Sequence, residues 1–163
     1  MVEPNIGTYK YKTNENLEFL FREGLGIKIG HPLSPNTELK LFFTNAIVGL
    51  KIEGGMQGGI KKDWQILCMK EFLKPIIELV NPSIIIAMGQ LPFKSVCEVF
   101  EDKIEPITKK SNSFKNSVGK VFISENKTHI FPVYHCGSKG VNMNKKLPEQ
   151  LEDWKKITYF ETK

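Results

Sequence analysis

Three short, mostly apolar runs constrain the fold of this chain more than any other feature of its sequence. They span 41–50, 83–89 and 128–134, and each is rich in β-branched or aromatic residues. None shows the strict alternation of a strand that has one wet face. The runs therefore predict strands buried on both faces, as in a parallel sheet covered by helices.

Helical periodicity occupies much of the chain between these runs. Apolar residues recur at helical spacing from Lys62 to Val80, and Pro82 closes that segment. The same reasoning predicts further helices in three segments: 15–22, 91–100 and 148–157.

The resulting order of elements predicts the fold class. A strand pair is expected around 114–123, in an otherwise polar and irregular stretch. Right-handed crossovers between parallel strands then favour an α/β fold, a three-layer α/β/α sandwich with a mainly parallel central sheet. We expect one domain over 1–163, since no linker or repeat divides the chain.

Composition and charge exclude some classes of protein. Hydrophobic residues make up 40% of the 163 residues and charged residues 25%, which indicates a globular chain rather than a disordered one. The net charge of +5 is compatible with a polyanionic partner such as DNA, although many proteins carry as much for solubility alone.

Cysteine usage and hydropathy bear on the compartment. Cys68, Cys97 and Cys136 form no paired motif, so neither a disulfide framework nor a metal site is expected. The sequence shows no signal peptide and no apolar stretch long enough to cross a membrane. We predict a cytoplasmic protein without membrane partners and without a cofactor.

His135 is the first candidate functional residue. The third apolar run delivers it to the carboxyl end of a predicted strand, where ligands bind in open α/β sheets. A histidine there can donate to a carbonyl or stabilise a developing anion. The alternative is a structural histidine whose side chain is satisfied by backbone groups.

Asn45 is the second candidate, because it interrupts the first apolar run. A buried amide without partners costs on the order of 1–3 kcal/mol, so backbone or ligand should bind it. An amide can read the polar edge of a pyrimidine. The alternative is an asparagine that fastens a neighbouring loop.

Glycine-rich turns are the third feature. Four glycines lie within 53–59, and a further glycine follows the second predicted strand. Such turns allow backbone to approach phosphates closely, although plain flexibility is the commoner use. The candidate phosphate contacts are Gly54, Gly55, Gln57, Gly89 and Gln90.

Three collinear segments, taken together, resemble the uracil-DNA glycosylase superfamily. They are 41–47, Leu-Phe-Phe-Thr-Asn-Ala-Ile; 72–90, which ends in Pro-Ser-Ile-Ile-Ile-Ala-Met-Gly-Gln; and Phe131-Pro-Val-Tyr-His135 with the stretch through Trp154. The resemblance covers about residues 13–158. It implies a glycosylase-like fold and removal of a damaged pyrimidine, uracil foremost, from single- or double-stranded DNA by base flipping.

The resemblance also assigns roles to residues. Asn45 and Phe43 match the base-recognition segment, and His135 matches the residue that contacts uracil O2 and stabilises the departing anion. The loop after it matches the segment that enters the minor groove, with Met143 as wedge and Lys139 as phosphate contact. The implied DNA-binding residues are Ser138, Lys139, Asn142, Met143 and Asn144.

The sequence departs from the family in ways that leave three hypotheses open. The Gly-Gln-Asp-like motif that orients water is not found, and Cys68 alone cannot support the family's iron–sulfur cluster. The chain is then a glycosylase driven by His135, a degenerate member that binds nucleic acid or protein, or a small-ligand domain. A missing first strand would also leave a sheet edge that a partner chain could cover.

Overall fold

The computed structural model describes residues 12–31, 34–35, 40–48, 61–100, 104–105, 113–138, 141 and 144–157. The helices are α1 (Lys12–Leu25), α2 (Lys62–Cys68), α3 (Lys74–Val80), α4 (Gln90–Val99), α5 (Phe114–Ser117) and α6 (Leu147–Lys155), with a π-helical turn (Met69–Leu73) between α2 and α3. The strands are β1 (Gly30–His31), β2 (Ser34–Pro35), β3 (Ile84–Met88), β4 (Ile104–Glu105), β5 (Phe122–Ser124) and β6 (His129–Val133). The chain forms two compact units, a first unit of 1–40 with 133–163 and a second unit of 41–132.

The helix predicted from Lys62 to Val80 is confirmed, with a widened turn in its middle. Pro75 accounts for the widening, because its ring has no N–H and would clash with the carbonyl four residues earlier. The N–H of Lys74 instead reaches back five residues to the carbonyl of Met69. The segment ends at Asn81, whose left-handed backbone (φ 46°) lets its N–H bond to the carbonyl of Ile77.

The sheet of the second unit is mixed, so the predicted three-layer sandwich with a mainly parallel sheet is wrong. Its strand order is β3-β6-β5-β4, and two of the three neighbouring pairs, β4–β5 and β5–β6, are antiparallel. A tight turn joins β5 to β6, with Lys127 at φ 63° and its N–H bonded to the carbonyl of Ser124. A connection this short can only return the chain in the opposite direction.

Two of the three predicted strands form, and the one that does not form is largely exposed to solvent where it is described. The runs at 83–89 and 128–134 are confirmed as β3 and β6. The first run is wrong where it is described, because residues 40–48 contain no strand and Phe42 and Phe43 are 58% and 55% exposed. An apolar run becomes a buried strand only when another strand pairs with it, and none pairs with these residues in the described sheet.

The expected strand pair at 114–123 is only partly correct. Its first half forms the short helix α5, and only its end enters β5. Phe114 of α5 and Phe122 of β5 both pack near Phe93 of α4, with ring centroids 6.3 and 5.2 Å away. The buried core around them comprises Met69, Leu73, Ala87, Phe93, Val96, Val99, Ile104, Phe122 and Ile130.

The first unit is built on the packing of α1 against α6, and both helices confirm the predictions made for their segments. The ring centroids of Phe21 and Trp154 lie 5.2 Å apart in an edge-to-face arrangement. Gly24 permits this approach, because a Cβ there would lie 2.9 Å from Cβ of Trp154. Gly26, at φ 69°, ends α1 with its N–H on the carbonyl of Arg22.

Candidate functional site

The segment that carries His135 begins where β6 ends, and it lies in the first unit. Cys136 and Gly137 are buried, whereas His135 is exposed. The side-chain amide of Asn16, itself 2% exposed, donates to the carbonyl of Cys136 at 2.7 Å. The thiol of Cys136 donates to the carbonyl of Thr13 at 3.6 Å. The side chain of Asn16 and the carbonyl of Thr13, both near the start of α1, therefore hold Cys136, the residue after His135, in position.

The imidazole of His135 has a defined orientation. The backbone N–H of Gly137 donates to Nδ1 of His135 at 3.0 Å. A nitrogen that accepts a hydrogen bond carries no proton, so in the neutral ring the proton is on Nε2. Because the side chain is exposed, Nε2–H can serve as a donor to a ligand. The purely structural alternative accounts for Nδ1 and leaves Nε2 available.

Gly137 is part of the same arrangement for steric reasons. A Cβ at this position would lie 2.8 Å from Cε1 and 2.9 Å from Nδ1 of His135, and 3.0 Å from Oγ1 of Thr13. These distances are shorter than ordinary van der Waals contacts. Only a residue without a side chain lets the amide approach Nδ1 from this side.

The far end of the predicted DNA-binding loop is fixed by α6. Lys145 Nζ lies 2.6 Å from Oδ2 of Asp153, whose side chain is only 6% exposed. The amide of Gln150 donates to the carbonyl of Lys145 at 2.8 Å. Ser138 and Asn144 are exposed. The other predicted loop residues lie outside the described residues: Lys139, Asn142 and Met143.

Asn45 does not occupy the buried strand position predicted for it. It is exposed in the irregular segment 40–48, and its backbone carbonyl accepts a hydrogen bond from Oγ1 of Thr44 at 3.4 Å. Phe43 is exposed beside it. Both belong to the second unit, whereas His135 belongs to the first. The burial argument for a bound amide therefore does not apply to Asn45.

The predicted phosphate contacts lie only partly within the described residues. Gly89 follows β3 with φ 110°, a value that favours glycine, and its carbonyl accepts the N–H of Phe93 at 3.1 Å. Gln90 begins α4 and is exposed. The other three lie outside the described residues: Gly54, Gly55 and Gln57.

A cavity of about 230 Å³ lies in the second unit, near the amino ends of β3 and β6. It includes none of the predicted site residues. Its lining residues are Lys74, Ile77, Glu78, Asn81, Pro82, Val99, Phe100, Glu125, Asn126 and Thr128. The hydroxyl of Thr128 is engaged there, donating to the carbonyl of Pro82 at 3.0 Å.

The three cysteines are all described, and none forms a disulfide. Burial raises the pKa of the Cys136 thiol to about 11, so it is protonated at neutral pH. Among the described residues, no cluster of three or more His, Cys, Asp or Glu side chains could bind a metal ion. No helix in the described ranges combines the length and apolarity needed to cross a membrane.

Comparison with protein-family models finds no match, and comparison with curated proteins finds no significantly similar sequence. Sequence reasoning missed Asn16, Gly137 and Asp153, which position the His135 segment. Gly137 offered a signal, since a glycine two residues from a candidate histidine permits a close backbone contact. Asn16 offered none, because its partner lies 120 residues away in the chain.

Proposed function

We propose that this protein is a DNA glycosylase that removes a damaged pyrimidine, uracil foremost, with His135 as its catalytic donor. The proposal rests on the resemblance of three collinear segments to the uracil-DNA glycosylase superfamily. The observation that carries it is the hydrogen bond from Gly137 to Nδ1 of His135, which leaves Nε2–H as an exposed donor.

This donor suits a leaving base. As the N-glycosidic bond breaks, its electron pair moves onto the base and negative charge develops on the carbonyl oxygen O2. A neutral imidazole that donates through Nε2 stabilises this charge without first having to lose or gain a proton. Removing one such donor typically lowers the turnover rate about 10²- to 10³-fold. Water then adds to C1′ of the sugar, its released proton passes through solvent to the base anion, and the neutral base leaves the active site.

Flipping a base out of the stack costs a few kcal/mol, so an enzyme of this class needs a loop that occupies the vacated space. The segment after His135 fits this purpose, because its described ends are fixed while Ser138 and Asn144 are exposed. We place the protein in the cytoplasm, where its three cysteines would remain reduced.

The test is a base-release assay on uracil-containing oligonucleotides, single- and double-stranded. We expect the wild type to release uracil and His135→Ala to release it about 10²- to 10³-fold more slowly. His135→Gln, which keeps a side-chain donor, should lie between them. Absence of release from either substrate by the folded wild type would contradict the proposal.

A second function is favoured by the exposure of Asn45 on an irregular segment. An amide that reads a base needs a fixed position, and Asn45 lacks the strand that would provide it. In this second function, the protein binds nucleic acid or protein without excising a base. DNA binding that weakens steeply with salt, without base release, would favour this alternative.

Under the glycosylase proposal, Asn45→Asp should slow uracil release while leaving folding unchanged.

A further inference from the structure

An exposed tryptophan at the start of α2 is not used by the proposed function. Trp64 is 46% exposed, although large aromatic side chains usually lie mostly inside. The other tryptophan of the chain, Trp154, is fully buried. Leu67 lies one helical turn beyond Trp64 and is 56% exposed. The amino-terminal turns of α2 thus present an apolar surface to solvent.

Lysines accompany this surface. Lys61 Nζ lies 5.5 Å from the centroid of the Trp64 ring, within the range of a cation–π interaction. Lys62 follows it, and both lysine side chains are exposed. Four lysines occur between 61 and 74 against two acidic residues, Asp63 and Glu71. The stretch 61–74 that carries the ring thus has two more positive than negative side chains.

The described part of the same unit exposes three more aromatic side chains: Phe42, Phe43 and Phe72. Phe42 and Phe43 lie in the described segment 40–48, and Val48 of that segment contacts α2. There the thiol of Cys68 is 3.8 Å from the carbonyl of Val48. The segment 40–48 and helix α2 are therefore in contact, and both carry exposed aromatic side chains and lysines.

We propose that Trp64 is a stacking platform for single-stranded DNA, with Lys61 and Lys62 as contacts to its phosphates. Proteins that bind single strands without sequence preference combine aromatic faces, on which bases stack, with cations along the backbone. Trp64 and Lys61 supply both elements within one helical turn. The proposal relies on the proposed function for its partner, DNA, but not for any step of base release.

Charge favours a nucleic acid over a protein partner for this surface. Protein interfaces are depleted of lysine at their centres, where burial removes its hydration. Here a lysine ammonium lies over the exposed ring itself, so a protein that covered Trp64 would also have to bury Lys61. A nucleic acid can instead place a phosphate against the Lys61 ammonium. This pairing releases cations condensed on the nucleic acid, which favours binding.

The burial of Trp154 makes a direct experiment possible. An oligothymidylate of about 12 nucleotides, without uracil, is titrated into the 163-residue protein while tryptophan fluorescence is recorded. Thymine stacking should quench the emission of Trp64 and leave that of buried Trp154 unchanged. Iodide, a collisional quencher, should lose access to Trp64 in the complex. Because the probe contains no uracil, the result is independent of glycosylase activity.

Matched variants assign the effect. Trp64→Ala should weaken binding about 5- to 150-fold, the usual range for loss of one stacked base. Trp64→Phe should retain most of the affinity but lose the fluorescence change. Leu79→Ala removes an exposed apolar side chain from α3, away from Trp64 and Leu67, and should bind like the wild type. Lys61→Ala and Lys62→Ala should each reduce the salt dependence of log K by about 0.7.

Three outcomes would overturn the proposal. The wild type fails to bind the oligonucleotide, or binds it with unchanged fluorescence, or Trp64→Ala binds as tightly as the wild type. Self-association that disappears in Trp64→Ala, measured by sedimentation without DNA, would assign the surface to a second copy of the chain instead. If Trp64→Ala does not fold, the fluorescence titrations of the wild type and of Trp64→Phe still give the answer.

Discussion

The backbone N–H of Gly137 donates to Nδ1 of His135 at 3.0 Å, and a side chain at Gly137 would occupy the space of the imidazole. One glycine thus sets both the tautomer and the position of the histidine. The neutral ring is protonated at Nε2, and its Nδ1 edge is in contact with the backbone. Because His135 and Gly137 are two residues apart in the chain, their hydrogen bond depends on the local backbone conformation.

Gly137→Ala should displace the imidazole of His135. The new Cβ would meet Cε1 and Nδ1 at less than 3 Å, so the ring must rotate away from the amide. If the glycosylase proposal is correct, uracil release should fall about 10- to 100-fold, since small misplacements of a catalytic group are costly. Nitrogen chemical shifts of His135 give a reading without substrate. Unchanged shifts in the variant would contradict this account of the ring's position.

Asn16→Ala should destabilise the first unit. The buried carbonyl of Cys136 would lose its donor, which costs about 1–3 kcal/mol in the free energy of unfolding. Urea denaturation measures the change. Asn14→Ala is the matched control, because Asn14 is exposed on the same helix and its replacement should change stability by less than about 0.5 kcal/mol. Equal effects of the two substitutions would show that the Asn16 hydrogen bond is unimportant.

Asp153→Asn should also lower stability, by about 1–3 kcal/mol, because it weakens a short ion pair with little solvent screening. The carboxylate contacts Lys145 at 2.6 Å and Lys156 at 3.7 Å. Glu152→Gln is the control on the next residue, where the pair with Lys155 is exposed and should contribute nothing measurable. Thermal unfolding of both variants tests the comparison. A larger loss in Glu152→Gln would contradict it.

The buried thiol of Cys136 should react slowly and should make stability fall in alkali. Its folded-state pKa of about 11 lies above its ordinary value of 9.0, because burial disfavours the thiolate. The contribution to stability is therefore fully present below pH 9.0 and is lost as the pH rises to about 11. We expect half-buried Cys97 to react with a thiol reagent before Cys136 does. The unfolding free energy of Cys136→Ala should fall less between these pH values than that of the wild type.

Much of the secondary structure could be predicted from the sequence. The helical region from Lys62 to Val80 was predicted with its observed bounds, because helical spacing and Pro82 are local signals. The strands β3 and β6 lay within predicted apolar runs for the same reason. The sequence analysis did not identify the tight turn between β5 and β6, so it did not predict that these two strands pair antiparallel. That turn is a local signal for antiparallel pairing, whereas the order β3-β6-β5-β4 depends on contacts between distant segments, which no local pattern encodes.

The candidate site divides in the same way. His135 was identified because an apolar run delivers it to a strand end, and in the structure it follows β6; its side chain is exposed. Asn45 was expected to be buried because its neighbours are apolar, yet Phe42 and Phe43 are themselves exposed. Hydrophobicity predicts a tendency toward burial, but only packing against other elements realises it.

The sequence alone determined the helical region 62–80, the strands β3 and β6, and which histidine follows a buried strand, because periodicity, proline and glycine act within a few residues. The tertiary structure decided the mixed sheet, the exposure of Asn45 and the fixation of the Cys136 backbone by Asn16 across 120 residues. These depend on contacts between distant parts of the chain. The free energy of such contacts comes from the geometry of both partners, which neither partner's local sequence specifies.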